Sequence, residues 1–394
     1  MSKQISVFLS ALLLLFSASA HDSIRLVSKQ VKLKDGSIFN LKIPEGYSLS
    51  IAAKQQRTLR FLAKSPDGRL FATDIHSRGD NKKGKVLIFS NWDTASHRFD
   101  STIVYLSSLR NPNQIAFYSS DKRHYLYVAE TGLIRRYNYQ PGDVAPTDTG
   151  TVIARFPDQG LNYKYGGWHL TRSLSFHHNK MYVSIGSSCN ACIEQESLRA
   201  VIVEMNPDGT DQKIYATGLR NSVGMKWING KLWVTSMGRD QIGPDKPEDL
   251  LHTVTRNTFY GWPFYFQYRG KIETDPQFKD SIKQVGNDAI PPIATVGFKA
   301  HSAPLGFDYL TNFIDTDVNN SFLVALHGST SVWRQRGNAV VQVVNGSYRN
   351  IVTGFLQGKT DKQRFGRPCD VMQWNNNSIF ITDDKNGVLY YLWK

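Results

Sequence analysis

The stretch Gly166-Gly-Trp-His-Leu-Thr-Arg-Ser-Leu-Ser-Phe-His-His-Asn-Lys-Met-Tyr-Val-Ser-Ile-Gly-Ser-Ser-Cys-Asn-Ala-Cys192 contains the unit from which the chain is built. His169 and Arg172 precede an apolar strand, Leu174 to Phe176. A short turn leads to a second strand, Met181 to Ile185, which runs into a small-residue loop bounded by Cys189 and Cys192. A histidine at the mouth of a strand is placed to offer a general base to a ligand. The ordinary alternative is a hydrogen-bonded structural histidine.

The second strand of this unit recurs. Leu70-Phe71-Ala72-Thr73, Leu126-Tyr127-Val128-Ala129, Met181-Tyr182-Val183-Ser184, Leu232-Trp233-Val234-Thr235, Phe322-Leu323-Val324-Ala325 and Ile379-Phe380-Ile381-Thr382 are versions of one run. They are spaced by about 51–56 residues, with one longer step of about 91, a period that marks propeller blades. Each is preceded by an apolar strand, such as Ile115-Ala116-Phe117 or Val223-Gly224-Met225, and followed by another, such as Val86 to Phe89 or Val340 to Val343. Helix signals are nearly absent. The expectation is an all-β chain, a six-bladed β-propeller of four-stranded antiparallel blades over residues 21–394. The long step predicts an insertion around 239–295. The segment Gln30 to Ala52, with its Asp35-Gly36 turn, lies outside the repeats and is expected to give an outer strand that closes the ring on the last blade.

Composition narrows the setting. Residues 1–20 read as a secretory signal: Lys3, an apolar run from Ile5 to Phe16, then Ala18-Ser19-Ala20. That run is too short to span a bilayer and no later stretch is apolar enough, so the expectation is an exported chain, periplasmic or secreted, without a transmembrane segment. The net charge of +14 favours acidic ligands or weak association with anionic surfaces. Its basic residues are dispersed, with no run like a nucleic-acid-binding arm, so no nucleic-acid partner is expected. Of three cysteines, Cys189 and Cys192 read as a local disulfide in an exported chain and leave Cys369 unpaired.

A closed ring gathers the polar residues at strand mouths. Before the first strands stand Arg60, Arg110 with Asn111, His169 with Arg172, Arg220 with Asn221, His301 with Ser302, and Arg367. At the ends of the second strands stand Asp74, Glu130, Ser187, Gly238, His327 and Asp383. Both sets are expected at one rim of an axial cavity. A cluster of cations there is costly unless it meets an anionic ligand.

With these motifs in view the chain resembles the soluble sugar dehydrogenases that use pyrroloquinoline quinone, the glucose and sorbosone dehydrogenase family. The resemblance rests on His169-Leu170-Thr171-Arg172-Ser173-Leu174 with Ser187-Ser188-Cys189-Asn190-Ala191-Cys192, and on Gly218-Leu219-Arg220-Asn221. Tyr260-Gly261-Trp262-Pro263, His301-Ser302-Ala303-Pro304-Leu305-Gly306, His327-Gly328-Ser329 and Gly366-Arg367-Pro368 follow in family order, from about residue 45 to the C-terminus. The resemblance implies a tricarboxylate quinone cofactor contacted by Arg172, Arg220, Asn221, His327 and Arg367. It implies His169 as the base that takes the sugar hydroxyl proton, a calcium ion on the backbone carbonyls of Gly238 and Arg239, a carbohydrate substrate and an external electron acceptor. The chain departs from the family pattern at Trp168, where the glucose enzyme has Asp, at Thr235-Ser236-Met237, where many relatives have an acidic residue, and at Thr330-Ser331-Val332, where relatives continue with Trp-Asn-Arg. Two other readings stand beside this one: a secreted, non-catalytic propeller that binds a glycan or protein partner, and a calcium-dependent lactonase.

Overall fold

The computed structural model describes residues 24–158, 167–282, 290–330 and 334–394. The expected signal segment, Gly166 at the start of the quoted stretch, and Ser331-Val332 lie outside them. Six antiparallel blades of four strands follow one another along the chain, the third extended by one short parallel strand. Their innermost strands are Leu59–Lys64, Ile115–Ser120, Arg172–His177, Ser222–Ile228, Pro304–Tyr309 and Pro368–Asn375. The six repeated runs are the second strands: Leu70–Asp74, Arg123–Glu130, Lys180–Ile185, Lys231–Ser236, Phe322–Leu326 and Ser378–Asp383. The all-β, six-bladed expectation holds.

The residue pattern explains the layering. A second strand is covered on both faces by neighbouring blades, so Leu70–Asp74 and Phe322–Leu326 are buried at every position. By contrast Ile38–Pro44, in a hairpin with Leu26–Lys32, alternates exposed and buried along most of its length, as a strand with one solvated face does. The core accordingly lies between blades. Tyr127, Ala129 and Ile134 of blade two meet Leu174, Val183 and Val203 of blade three. Near the axis Phe61, Val223, Leu305 and Cys369, one each from blades one, four, five and six, form a small central cluster.

Ring closure occurs as expected. Ser48–Ile51 pairs antiparallel with Val388–Trp393 and is the outer strand of blade six. A strand from near the N-terminus and the last strand of the chain are thus held in one sheet, while Leu26–Lys32 and Ile38–Pro44 form a separate hairpin. The long step resolves differently in detail. Blade four's third strand, Asp249–Val254, lies inside the span 239–295, and its fourth, Val296–Phe298, follows directly after that span. The added chain is therefore 255–295. It contributes Thr258–Phe259, parallel to the outer strand of blade three, and the hairpin Tyr265–Tyr268 with Lys271–Thr274. No helix among the described residues is long and apolar enough to cross a membrane.

Candidate active site

The strand-mouth arginines separate into two groups by what holds them. Arg60 donates to Asp384 at 2.8 Å and to Asn113 at 2.9 Å. Arg110 donates to Asp80 at 2.9 Å and to Asp158 at 2.8 Å. Both are neutralised within the fold. Arg172, Arg220 and Arg367 are also buried, but no carboxylate lies within ion-pair distance of any of them among the described residues. They donate to carbonyl oxygens instead. Burial without a counter-charge pushes their pKa values down, to about 9 for Arg172, about 10 for Arg220 and about 9 for Arg367.

Arg220 is clamped from two sides. Its Nε and Nη2 donate to the backbone and side-chain oxygens of Asn190 at 2.9 and 3.0 Å, and its Nη1 donates to the Gly238 carbonyl at 3.0 Å. Asn190 sits in the loop closed by the Cys189–Cys192 disulfide, which is formed. The loop therefore aims Arg220, a role that local closure of four residues did not announce. Arg367 donates through Nε to the His327 carbonyl at 3.1 Å and through Nη2 to the Gly328 carbonyl. Its Nη1 is buried and has no partner. Arg220, Arg367, Arg239, Arg78, His301 and His327 share the wall of one cavity of about 240 Å³ with Asp240 and Asp249. Asp249 is buried, and both its oxygens accept backbone N–H groups, from Gly238 and Ala303 at 2.8 Å. Burial raises its pKa to about 6.

His327 lies at the cavity's inner wall, where its Nε2 meets Asp384 Oδ1 at 2.7 Å. Burial works against the charge on both partners. Arg60 also binds Asp384, so the carboxylate keeps the charge and is held well below its usual range. Burial and the nearby Arg367 push His327 down to about 3. The pair is thus a neutral imidazole donating to a carboxylate.

His169 stands at the mouth of blade three, near Arg220 but outside the lining of this cavity, half-buried and in the left-handed region at φ 47°. Its Nδ1 is 2.9 Å from both the Ser187 carbonyl and the Ser187 hydroxyl, and that hydroxyl donates onward to Cys189 O at 2.7 Å. Two acceptors facing one nitrogen place the proton on Nδ1 and leave the lone pair on Nε2. Ser187 thus orients the ring, the task that Trp168 cannot perform from the preceding position. Burial, then the positive charge of Arg220, holds the imidazole well below its ordinary 6.5. Gly186 makes the contact possible: a Cβ there would stand 2.5 Å from His169 Cβ and 2.9 Å from Asn221 Oδ1.

Not every expected residue meets the cavity. Arg172 lies beneath His169 and donates to its carbonyl at 2.6 Å and to that of Pro157 at 3.0 Å, away from the cavity lining. Asn221 packs against Met237 and Gly186. Arg239 lines the cavity but turns its guanidinium to Asp275 and Gln277. The second-strand acids are backbone clamps: Asp74 accepts from Thr58 N at 3.0 Å, Glu130 from Arg110 N at 2.7 Å and Asp383 from Arg367 N at 2.8 Å. Conversely, Asp384, Arg78 and Arg364 were not singled out in the sequence. The doubled acid Asp383-Asp384 was the available signal, since one strand-end clamp needs only one of them.

The donor set fits a tricarboxylate ligand. Two buried, unneutralised guanidinium groups face one cavity and one of them holds a donor with no partner, which a carboxylate would satisfy. The arrangement does not fit calcium as it stands. The Gly238 carbonyl accepts from Arg220, so a guanidinium already stands on the expected ligand. Among the described residues the one group of three metal-type side chains is Cys189, Cys192 and Glu194, and its two sulfurs are in the disulfide.

A family model described as TrAA12-like matches residues 41–394. In fold the chain is similar to the holo pyranose dehydrogenase PQQ domain of Coprinopsis cinerea, with a TM-score of 0.71, 16% identity and coverage of 90% of this chain and 97% of that one. The calcium structure of the Trichoderma reesei family AA12 carbohydrate-active enzyme gives 0.72, 17%, 89% and 96%. The soluble aldose sugar dehydrogenase of Escherichia coli, in its apo form, gives 0.60, 14%, 88% and 99%. An uncharacterized protein of Borreliella burgdorferi is 31% identical over 223 residues, so the match spans 54% of this chain and 56% of that relative. The family match runs from before the closing strand to the last residue, and the kinship read from the motifs holds: the chain belongs to the TrAA12-like family.

Proposed function

We propose that this protein is an exported oxidoreductase that oxidises a sugar, an aldose or polyol-type carbohydrate, with pyrroloquinoline quinone as its cofactor. The observation that carries the reading is the pairing of unneutralised, buried Arg220 and Arg367 on one cavity with a neutral, oriented His169 beside Arg220. Arg220 and Arg367 would hold the cofactor's anionic groups, with His327 on the same wall. When bound, the quinone would supply the two-electron acceptor for the hydride of the carbinol carbon. His169 Nε2 takes the hydroxyl proton in that step, so the alcohol becomes a carbonyl and two electrons leave for an external acceptor. Ser187 keeps the receiving nitrogen unprotonated and fixes its direction. Arg172 acts one layer below, holding the backbone that carries the base. No step is routed through calcium.

The test is reconstitution. Purified apoprotein is titrated with the quinone, with calcium or with a chelator, and aldoses are screened with a dye acceptor. Turnover that requires the quinone is the expected result. Quinone that fails to bind, or turnover that does not need it, contradicts the reading.

A further inference from the structure

Next to the cofactor cavity, between blades six and one, lies a larger one of about 960 Å³. It falls in the size range of small-molecule sites and is concave, unlike a protein-docking face. Arg78, Thr330 and Arg367 line both cavities, so a ligand in one abuts a ligand in the other. Arg57, Arg78, Arg364, Arg367 and Lys385 contribute positive charge to the larger wall.

Its two carboxylates do not balance that charge. Asp384 is committed to Arg60 and His327. Asp361 is exposed and meets Arg364 at 3.6 Å. Arg57 and Arg78 are exposed and have no ion-pair partner among the described residues. Arg364 is buried and donates Nη2 to the Ser329 carbonyl at 2.6 Å, while its Nε has no partner. With Arg367 Nη1, two buried guanidinium groups on this wall each hold an unsatisfied donor. Such a wall is stable only against water or an anion, and an anion that also accepts several hydrogen bonds suits it better.

Resting on the proposed sugar oxidation, we infer that this second cavity is a subsite for an acidic saccharide, one whose carboxylate sits among Arg57, Arg78 and Arg364. The substrate class is then uronate-bearing sugars rather than neutral ones. Arg367 belongs to both cavities and marks their boundary.

The test is a calorimetric titration of the quinone-loaded protein with glucuronate, glucose and inorganic phosphate. Glucuronate is expected to bind at least about tenfold more tightly than glucose, with the advantage shrinking as salt rises. Arg57 and Lys385 line the second cavity but not the first. The double variant Arg57→Gln with Lys385→Gln should therefore weaken glucuronate binding by about tenfold and leave glucose binding unchanged. Equal affinity for the two sugars, an equal loss of both in the variant, phosphate binding as tightly as glucuronate, or exclusion of glucuronate by the quinone overturns the inference. Neutral aldoses turned over without preference for glucuronate would sink this inference and leave the proposed oxidation standing. Glucuronate bound tightly in the absence of any sugar turnover would leave the anion subsite standing and sink the oxidation together with the substrate class.

Discussion

His169 is the residue on which the chemistry turns. His169→Gln should keep cofactor affinity and lose roughly 10²–10⁴-fold in turnover, read by dye-linked rates at saturating quinone. His178→Gln, in the turn after the same strand, should change neither. Since Arg220 and burial hold the imidazole well below 6.5, His169 is neutral throughout the neutral range. Activity should stay flat above pH 6.5 and fall only well into the acid range; a limb centred at or above 6.5 would contradict the assignment. Arg367→Ala should weaken quinone binding by about 2–5 kcal/mol, and Arg367→Lys should weaken it too, because a compact ammonium cannot reproduce the planar fork that spans the Gly328 carbonyl and a carboxylate. Unchanged quinone titrations for both variants would remove Arg367 from the cofactor site. At this scale the sequence was half legible. The spacing of His169, Arg172 and Ser187 pointed to the strand mouth, yet nothing in it distinguished Arg60 and Arg110 from Arg220 and Arg367. That difference depends on Asp384, which reaches Arg60 only when the ring closes, and on Asp80 and Asp158, which reach Arg110 from adjoining loops once the blades have folded.

Among the elements, the closing strand and the disulfide loop matter most. Ala52 N donates to Leu389 O at 2.7 Å, just beyond the strand Ser48–Ile51, and Ala52 itself is buried. Ala52→Pro removes that donor and should cost about 3 kcal/mol, read as a lower urea midpoint with the slope unchanged. A midpoint unaltered by the change would mean that closure does not hold the ring. The loop Cys189–Cys192 presents Asn190 to Arg220, Trp262 and Asp240. Replacing both cysteines with Ser should therefore raise the quinone dissociation constant by about tenfold while moving the melting temperature little, because closing so short a loop constrains the unfolded chain weakly. A large melting shift with unaltered quinone binding would make the loop a staple only. The closing strand was readable because it lay outside the repeat. The bounds of the insertion, around 239–295, took in blade four's third strand, Asp249–Val254, which has a mixed polar sequence like a loop's.

At the scale of the molecule, the ring was legible from one recurrent apolar run, since strands covered on both faces leave continuous hydrophobic stretches. What repeats cannot reveal is the charge state of the interior. Burial raises Asp370 and Asp383 to about 7. A carboxyl raised in this way is protonated in the folded state and ionised in the unfolded state, so its contribution is lost as pH rises through 7. Buried His252 and His327, lowered to about 4 and about 3, act the other way, but only below 6.5. Between pH 6.5 and 8 these carboxyls and His301, whose hydrogen bond to Asp240 raises its pKa above 6.5, all act in one direction. The wild-type protein should lose melting temperature across that window, and Asp370→Asn should lose less. Parallel curves for the two proteins would show that Asp370 is ionised in the fold.

The central claim is that His169 drives oxidation of a sugar by a quinone held on Arg220 and Arg367. Its most direct test is anaerobic single-turnover absorbance of the quinone-loaded protein after sugar is added. The oxidised quinone band should be lost in the wild-type protein, whereas in His169→Gln the quinone should bind normally and its band persist. Equal bleaching in both proteins, or no retained quinone in either, would contradict it.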